Sequence, residues 1–128
     1  MRFELIDRVL EREPTRLTAV KCVTQAEEYL GDHFPGFAVL PGVMMLEAMV
    51  QAARLLVSGR EDAPAGPLVV REVRNVKYGN MVRPGETLYV QVTLRGMDGG
   101  RFEFQGTGTV HEQTAVQGRF TLEPAPMG

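Results

Sequence analysis

The feature that most restricts how this chain can fold is the run "GVMMLEAMVQAARLLVS", Gly42 to Ser58. It is the one long helix candidate in the sequence. Val43, Met44, Met45, Leu46, Ala48, Met49, Val50, Ala52, Ala53, Leu55, Leu56 and Val57 make it apolar on nearly every face, and a helix of that kind is buried. Glu47, Gln51 and Arg54 interrupt it at i, i+4 and i+7 and so fall on one stripe. That stripe is either the helix's solvent edge or a covered seam. The wide apolar arc favours a covered seam, where an isolated carboxylate needs partners or a raised pKa. Gln51, one turn beyond Glu47, is placed to hold it by a hydrogen bond. A buried carboxyl is also what general acid–base chemistry uses.

Around this helix the pattern is of strands. Phe3–Glu11 and Arg16–Thr24 alternate apolar and polar residues across "REPTR", predicting a hairpin. Glu27–Leu30 reads as a short helical turn, and "GREDAPAGP" (59–67) reads as a loop. Four strands follow: "LVVREVRNVKYG", "ETLYVQVTLRG", "RFEFQGTGTVHE" and "TAVQGRFTLEP". They are linked by "NMVRPG", "MDGG" and a turn near Glu112 that also holds His111, a surface position. One helix among antiparallel strands is an α+β plan, a sheet wrapped around a central helix. It implies a single domain over 1–128, with 124–128 a flexible tail. Its open sheet edges imply pairing between protomers.

Composition closes off several classes. A hydrophobic fraction of 44% and a charged fraction of 23% are those of a soluble globular protein. No apolar run approaches a membrane span, and "MRFELIDRVL" lacks the apolar core of a signal peptide. The single cysteine, Cys22, rules out an internal disulfide and makes a cytoplasmic location the default. Lying in "LTAVKCVT", it is expected as a packed core thiol without a catalytic role. The net charge of −2 hides an uneven distribution, since Arg54 to Arg83 hold six basic residues against three acids. This segment is either a patch for an acidic partner or an ordinary solvated surface. Nucleic acid is a poor partner for a chain without overall basic excess. No metal-ligand spacing is present.

His33 lies in the Pro/Gly-rich turn before the helix, fourteen residues ahead of Glu47. It is either structural or a base poised near neutral pH. Pro41 and Gly42 open the helix and leave the N–H groups of Gly42 and Val43 at the positive end of its dipole. Glycine there lets a ligand approach the backbone. Oxyanion donors, a histidine and a buried carboxyl together suit proton abstraction beside a carbonyl.

"HFPGFAVLPGVMMLEAMVQA" strongly resembles the signature of the 3-hydroxyacyl-[acyl-carrier-protein] dehydratases of fatty acid synthesis (FabZ-type), which have the hot-dog fold. "FELIDRVLE", "AVKCV" and "VKYGNMVRPGETL" have counterparts in the same order, so the resemblance spans about residues 3 to 123. It implies catalytic roles for His33 and Glu47, contributed by opposite subunits of a homodimer, and leaves open a trimer of dimers. It implies that Gln51 orients the carboxyl and that the Gly42 N–H binds the thioester carbonyl. Tyr78 falls where the family has an aromatic residue flanking the acyl tunnel. No cofactor is implied, and the partner is an acyl carrier protein bearing a 3-hydroxyacyl thioester. Glu47 matches the plain dehydratases, whereas the bifunctional isomerase branch has aspartate. Ala38 and Met81 stand where the family usually has proline, Glu86 stands for a common aspartate, and the usual segment ahead of "FELIDRV" is missing. Other readings of a hot-dog chain are an acyl thioesterase or a non-catalytic subunit that binds acyl carrier protein.

Overall fold

Period-two alternation builds most of the protein. The computed structural model describes residues 4–24 and 39–126. They form β1 (Arg8–Glu13), β2 (Arg16–Cys22), α1 (Gly42–Ser58), β3 (Leu68–Tyr78), β4 (Thr87–Asp98), β5 (Arg101–Val110) and β6 (Gln113–Pro124). The six strands make one antiparallel sheet in the order β1-β2-β4-β5-β6-β3. This is the hot-dog arrangement, with α1 against one face of the sheet. The helix has the expected bounds and the four C-terminal strands agree to within two residues. The expected turn at Glu27–Leu30 lies outside the described residues.

The inner face carries Leu88, Val90, Val92 and Leu94 from β4, Phe102 and Phe104 from β5, and Val116, Phe120 and Leu122 from β6, all buried. Phe104 and Phe120 stack with ring centroids 5.6 Å apart. Burying each such side chain contributes about 1.5–3 kcal/mol. Gly106 and Gly108 fall on the same face. A Cβ on Gly106 would lie 2.7 Å from Met49 Sδ, and one on Gly108 would lie 2.8 Å from Val116 Cγ1. Missing side chains therefore let helix and sheet close on each other.

Two expectations need correcting. The first strand begins at Arg8, not Phe3. Leu5 instead turns into the core, buried against the helix side, and its N–H donates to Gln51 Oε1 at 2.8 Å. Cys22 is exposed, not a core thiol. Alternation along β2 puts Leu17 and Ala19 inside, which sends Cys22 to the outer face with Thr18.

The 79–86 connection matters because it borders the helix start: Leu40 N–H donates to Val82 O at 2.8 Å. Glu86 ties this segment together. Its Oε1 accepts the Arg83 N–H at 2.6 Å, and its Oε2 lies 2.5 Å from His111 Nε2. His111 and Glu112 form the β5–β6 turn with φ of 50° and 64°, a left-handed pair that twists a tight hairpin correctly. The Arg83 N–H, with help from His111, holds the Glu86 carboxyl below its ordinary value of 4.5, against the opposing effect of burial. Folding thus favours the ionised form. The stability it contributes is complete above the ordinary value and is lost as pH falls through the lowered one. In urea titrations, Glu86→Gln is expected to unfold earlier than wild type at neutral pH. The gap should narrow on acidification well below the ordinary glutamate range.

Candidate active site

The helix starts without a side-chain cap. Pro41 takes the cap position in extended conformation, φ −61° and ψ 145°, and its carbonyl accepts the Met44 and Met45 N–H groups at 2.9 and 3.2 Å. The N–H groups of Gly42 and Val43 have no hydrogen-bond partner among the described residues, and the first turn holds no acidic residue. Among the described residues nothing compensates the positive end of the dipole, which suits it to an oxygen acceptor. Val43 is 65% exposed, so this end faces solvent in the protomer.

Tyr78, the last residue of β3, packs on Gly42. A Cβ built on Gly42 would lie 2.8 Å from Tyr78 Cε1 and 3.1 Å from Cδ1. Only glycine admits this contact, so the aromatic ring and the free N–H groups share one corner. Gly79 N–H to Ala115 O at 2.8 Å and Asn80 N–H to Thr114 O at 2.9 Å pin the chain just beyond the ring. Tyr78 itself is 52% exposed.

Glu47 lies on the same helix, roughly 7.5 Å further along its axis than Gly42. The Gln51 amide donates to its Oε1 at 3.4 Å, and Arg54 Nη1 approaches the same oxygen at 3.5 Å. Gln51 is in turn held by the Leu5 N–H at its own Oε1. One carboxylate oxygen is thus fixed by two donors, while Oε2 has no partner among the described residues. The expected covered seam is not found in the protomer. The Glu47 side chain is 41% exposed and that of Arg54 35%. The sheet wraps the arc formed by Met45, Ala48, Met49, Ala52, Ala53 and Leu56, leaving Glu47, Gln51 and the apolar Met44, Leu46 and Leu55 only partly covered.

The structure thus brings Gly42, Val43, Glu47, Gln51 and Tyr78 to one side of the molecule, along the helix and at the end of β3. His33 lies outside the described residues. Two contributors escaped the sequence reading. Leu5 acts through its backbone, which no side-chain pattern reveals. Arg54 was visible on the stripe, seven residues after Glu47, but nothing in the spacing showed that its guanidinium reaches back to the carboxylate. Among the described residues no cluster of His, Cys, Asp or Glu could hold a metal ion.

Comparison with known proteins places the chain in a family. A family model described as ApeI dehydratase matches residues 10–119. The 3-hydroxyacyl-[acyl-carrier-protein] dehydratase FabZ of Wolbachia pipientis wMel is 33% identical over 116 residues, 90% of this chain and 81% of that protein. The enzyme of the same name from Rickettsia massiliae (strain Mtu5) is 35% identical over 121 residues, 93% and 83% of the two chains. Among solved structures, the dehydratase heterocomplex ApeI:P from Xenorhabdus doucetiae superposes with TM-score 0.77 at 20% identity, covering 96% of this chain and 84% of that one. Thioesterase superfamily member 2 from Mus musculus superposes at 0.69 with 16% identity, covering 88% and 77%. These last two likenesses concern the fold. With a family model over most of its length and relatives above 30% identity, the chain belongs to the hot-dog dehydratase family that includes the ApeI-like and FabZ enzymes.

Proposed function

We propose that this dehydratase eliminates water from 3-hydroxyacyl thioesters carried on an acyl carrier protein, giving trans-2-enoyl thioesters in fatty acid or related lipid biosynthesis. The observation that carries the proposal is the juxtaposition on one helix of two N–H groups, at Gly42 and Val43, with a carboxyl Oε2, at Glu47, none of which has a hydrogen-bond partner among the described residues. The thioester carbonyl oxygen accepts from the Gly42 N–H, and negative charge building on it is stabilised by the helix dipole. His33 takes the α-proton. The electrons of that C–H bond form the Cα=Cβ double bond, and the β-hydroxyl leaves as water on the proton of Glu47 in its neutral carboxylic acid form, directly or through a water molecule. The carboxylate so formed regains a proton from the His33 imidazolium, by way of water, which restores the pair. The thioester acidifies the α-carbon, so the step needs no cofactor.

The protomer's surface supports a homodimer with shared sites. β3 is an eleven-residue edge strand, most of it exposed on both faces. Val70, Val73 and Tyr78 are exposed along it at 38%, 39% and 52%. Such an edge is a template for a second copy, and a partner pairing there would cover the open arc of α1. In this assembly His33 and Glu47 come from opposite subunits, and the 1–128 chain acts as one domain.

Carrier docking is narrower than the charge pattern implied. Of the six basic residues from Arg54 to Arg83, four are engaged: Arg54 with Glu47, Arg60 with Asp62, Arg71 with Glu123 and Arg74 with Glu72. Lys77 and Arg83 make no ion pair within 4 Å among the described residues, although the Arg83 charge acts on the Glu86 carboxyl, and they flank Tyr78 and its following loop. They are the cations offered to an acidic carrier beside the site. No helix among the described residues is long and apolar enough to cross a membrane, and a cytoplasmic location completes the proposal.

Hydration of a trans-2-enoyl thioester, followed by loss of its ultraviolet absorbance, tests the chemistry. Wild type should hydrate the substrate without releasing thiol, and His33→Ala and Glu47→Gln should each lower kcat by about a hundredfold or more. Release of free thiol would make the chain a thioesterase, and an inert wild type that binds acyl carrier protein would make it a binding subunit. Gly42→Ala keeps the N–H but pushes on the Tyr78 ring. It should cost roughly tenfold or more in kcat/KM, and adding Tyr78→Ala should recover part of the loss. Unchanged kcat/KM in Gly42→Ala would remove this corner from the site.

A further inference from the structure

Arg54 is anchored at two points. Its Nη1 lies 3.5 Å from Glu47 Oε1, and its Nε donates to Leu68 O at 3.1 Å. The same side chain forms one wall of a cavity of about 320 Å³ at the C-terminal end of α1, lined also by Val57, Ala63, Pro64, Pro67 and Leu68. Its guanidinium therefore stands between the Glu47 carboxyl and this largely apolar hollow.

A 3-hydroxyacyl chain whose β-hydroxyl meets Glu47 Oε2 must lay its remaining methylenes on apolar surface, since each gains by leaving water. The Arg54 guanidinium reaches back to the Glu47 carboxyl, 3.5 Å away, so a chain that continues past the β-carbon toward the hollow meets a cation at once, whereas a four-carbon chain ends one methyl beyond that carbon. Moving that cation aside breaks its bonds to Glu47 and to the Leu68 carbonyl together, and the first of these also holds the carboxylate in place. A short acyl chain ends before this point and leaves both bonds intact.

We propose that Arg54 positions Glu47 and gates the acyl path, so that the enzyme prefers short 3-hydroxyacyl thioesters over long ones. This rests on the dehydratase reading given above. Hydration of four-carbon and twelve-carbon trans-2-enoyl thioesters is compared for wild type, Arg54→Ala and Arg54→Lys, with thermal melts to confirm folding. Wild type should favour the four-carbon substrate in kcat/KM by roughly tenfold or more. Arg54→Ala should lower KM for the twelve-carbon substrate and lower kcat for the four-carbon one, whereas Arg54→Lys should retain the wild-type order. Equal use of both lengths by wild type, or an unchanged preference in a folded Arg54→Ala protein, would overturn the gate. Calorimetry with an unreactive saturated dodecanoyl-pantetheine reads the gate without turnover, and Arg54→Ala should bind it at least several-fold tighter than wild type. Failure of wild type to hydrate either length would instead defeat the dehydratase reading, and the calorimetric difference would still decide the gate. Equal binding by the two proteins would overturn it.

Discussion

The close seat of α1 on the sheet is made largely by side chains that are small or absent. Ala48, Ala52 and Ala53 are fully buried on the helix, and Gly106 and Gly108 leave space beneath Met49, Leu88 and Val116. One sheet layer can cover only part of a helix's circumference. The remaining arc keeps apolar Val43, Met44 and Leu55 out of full burial and puts Glu47, Gln51 and Arg54 on the same open side. In a protein with a second helical layer this arc would be core. Here it is the surface on which chemistry can be arranged.

Placing the carboxylate there solves a physical difficulty. A charge sealed under the sheet would need full compensation, but at the rim it is held by two donors on one oxygen, while the other has no partner among the described residues. The helix start supplies the second half of the arrangement without any side chain. Pro41 leaves Gly42 and Val43 without partners among the described residues, and the first turn holds no acidic residue. Tyr78 reaches this corner only because β3 ends there and Gly42 has no Cβ. The glutamate–histidine tie across residues 83–86 and the β5–β6 turn steadies the loop that borders the helix start.

Much of this was readable from the sequence where a single periodicity governs it. The bounds of α1 follow from Pro41–Gly42 at one end and Gly59 at the other, and β4 to β6 follow from strict alternation. The Glu47–Gln51 bond follows from i, i+4 spacing. What was not readable depends on the third dimension. Cys22 sits in a strand as expected, but only the strand's parity decides that it faces outward. The exposure of Glu47 depends on how far a sheet wraps, which the helix's own apolar arc does not reveal. The ion pairs that neutralise four of six basic residues join partners up to 52 positions apart, so a local charge excess overstated the available patch. His33 carries the resemblance and half of the proposed chemistry, and it lies outside the described residues.

The central claim is that two subunits complete each site across the open arc of α1. Co-refolding His33→Ala with Glu47→Gln tests it most directly, because on this account each protein alone is inactive and a mixed dimer contains one whole site. Hydration activity is predicted to return in the mixture to about a quarter of the wild-type rate, since half the dimers are mixed and each has one intact site of two. A mixture as inactive as its parents, with dimers shown to have exchanged subunits, would contradict the shared site.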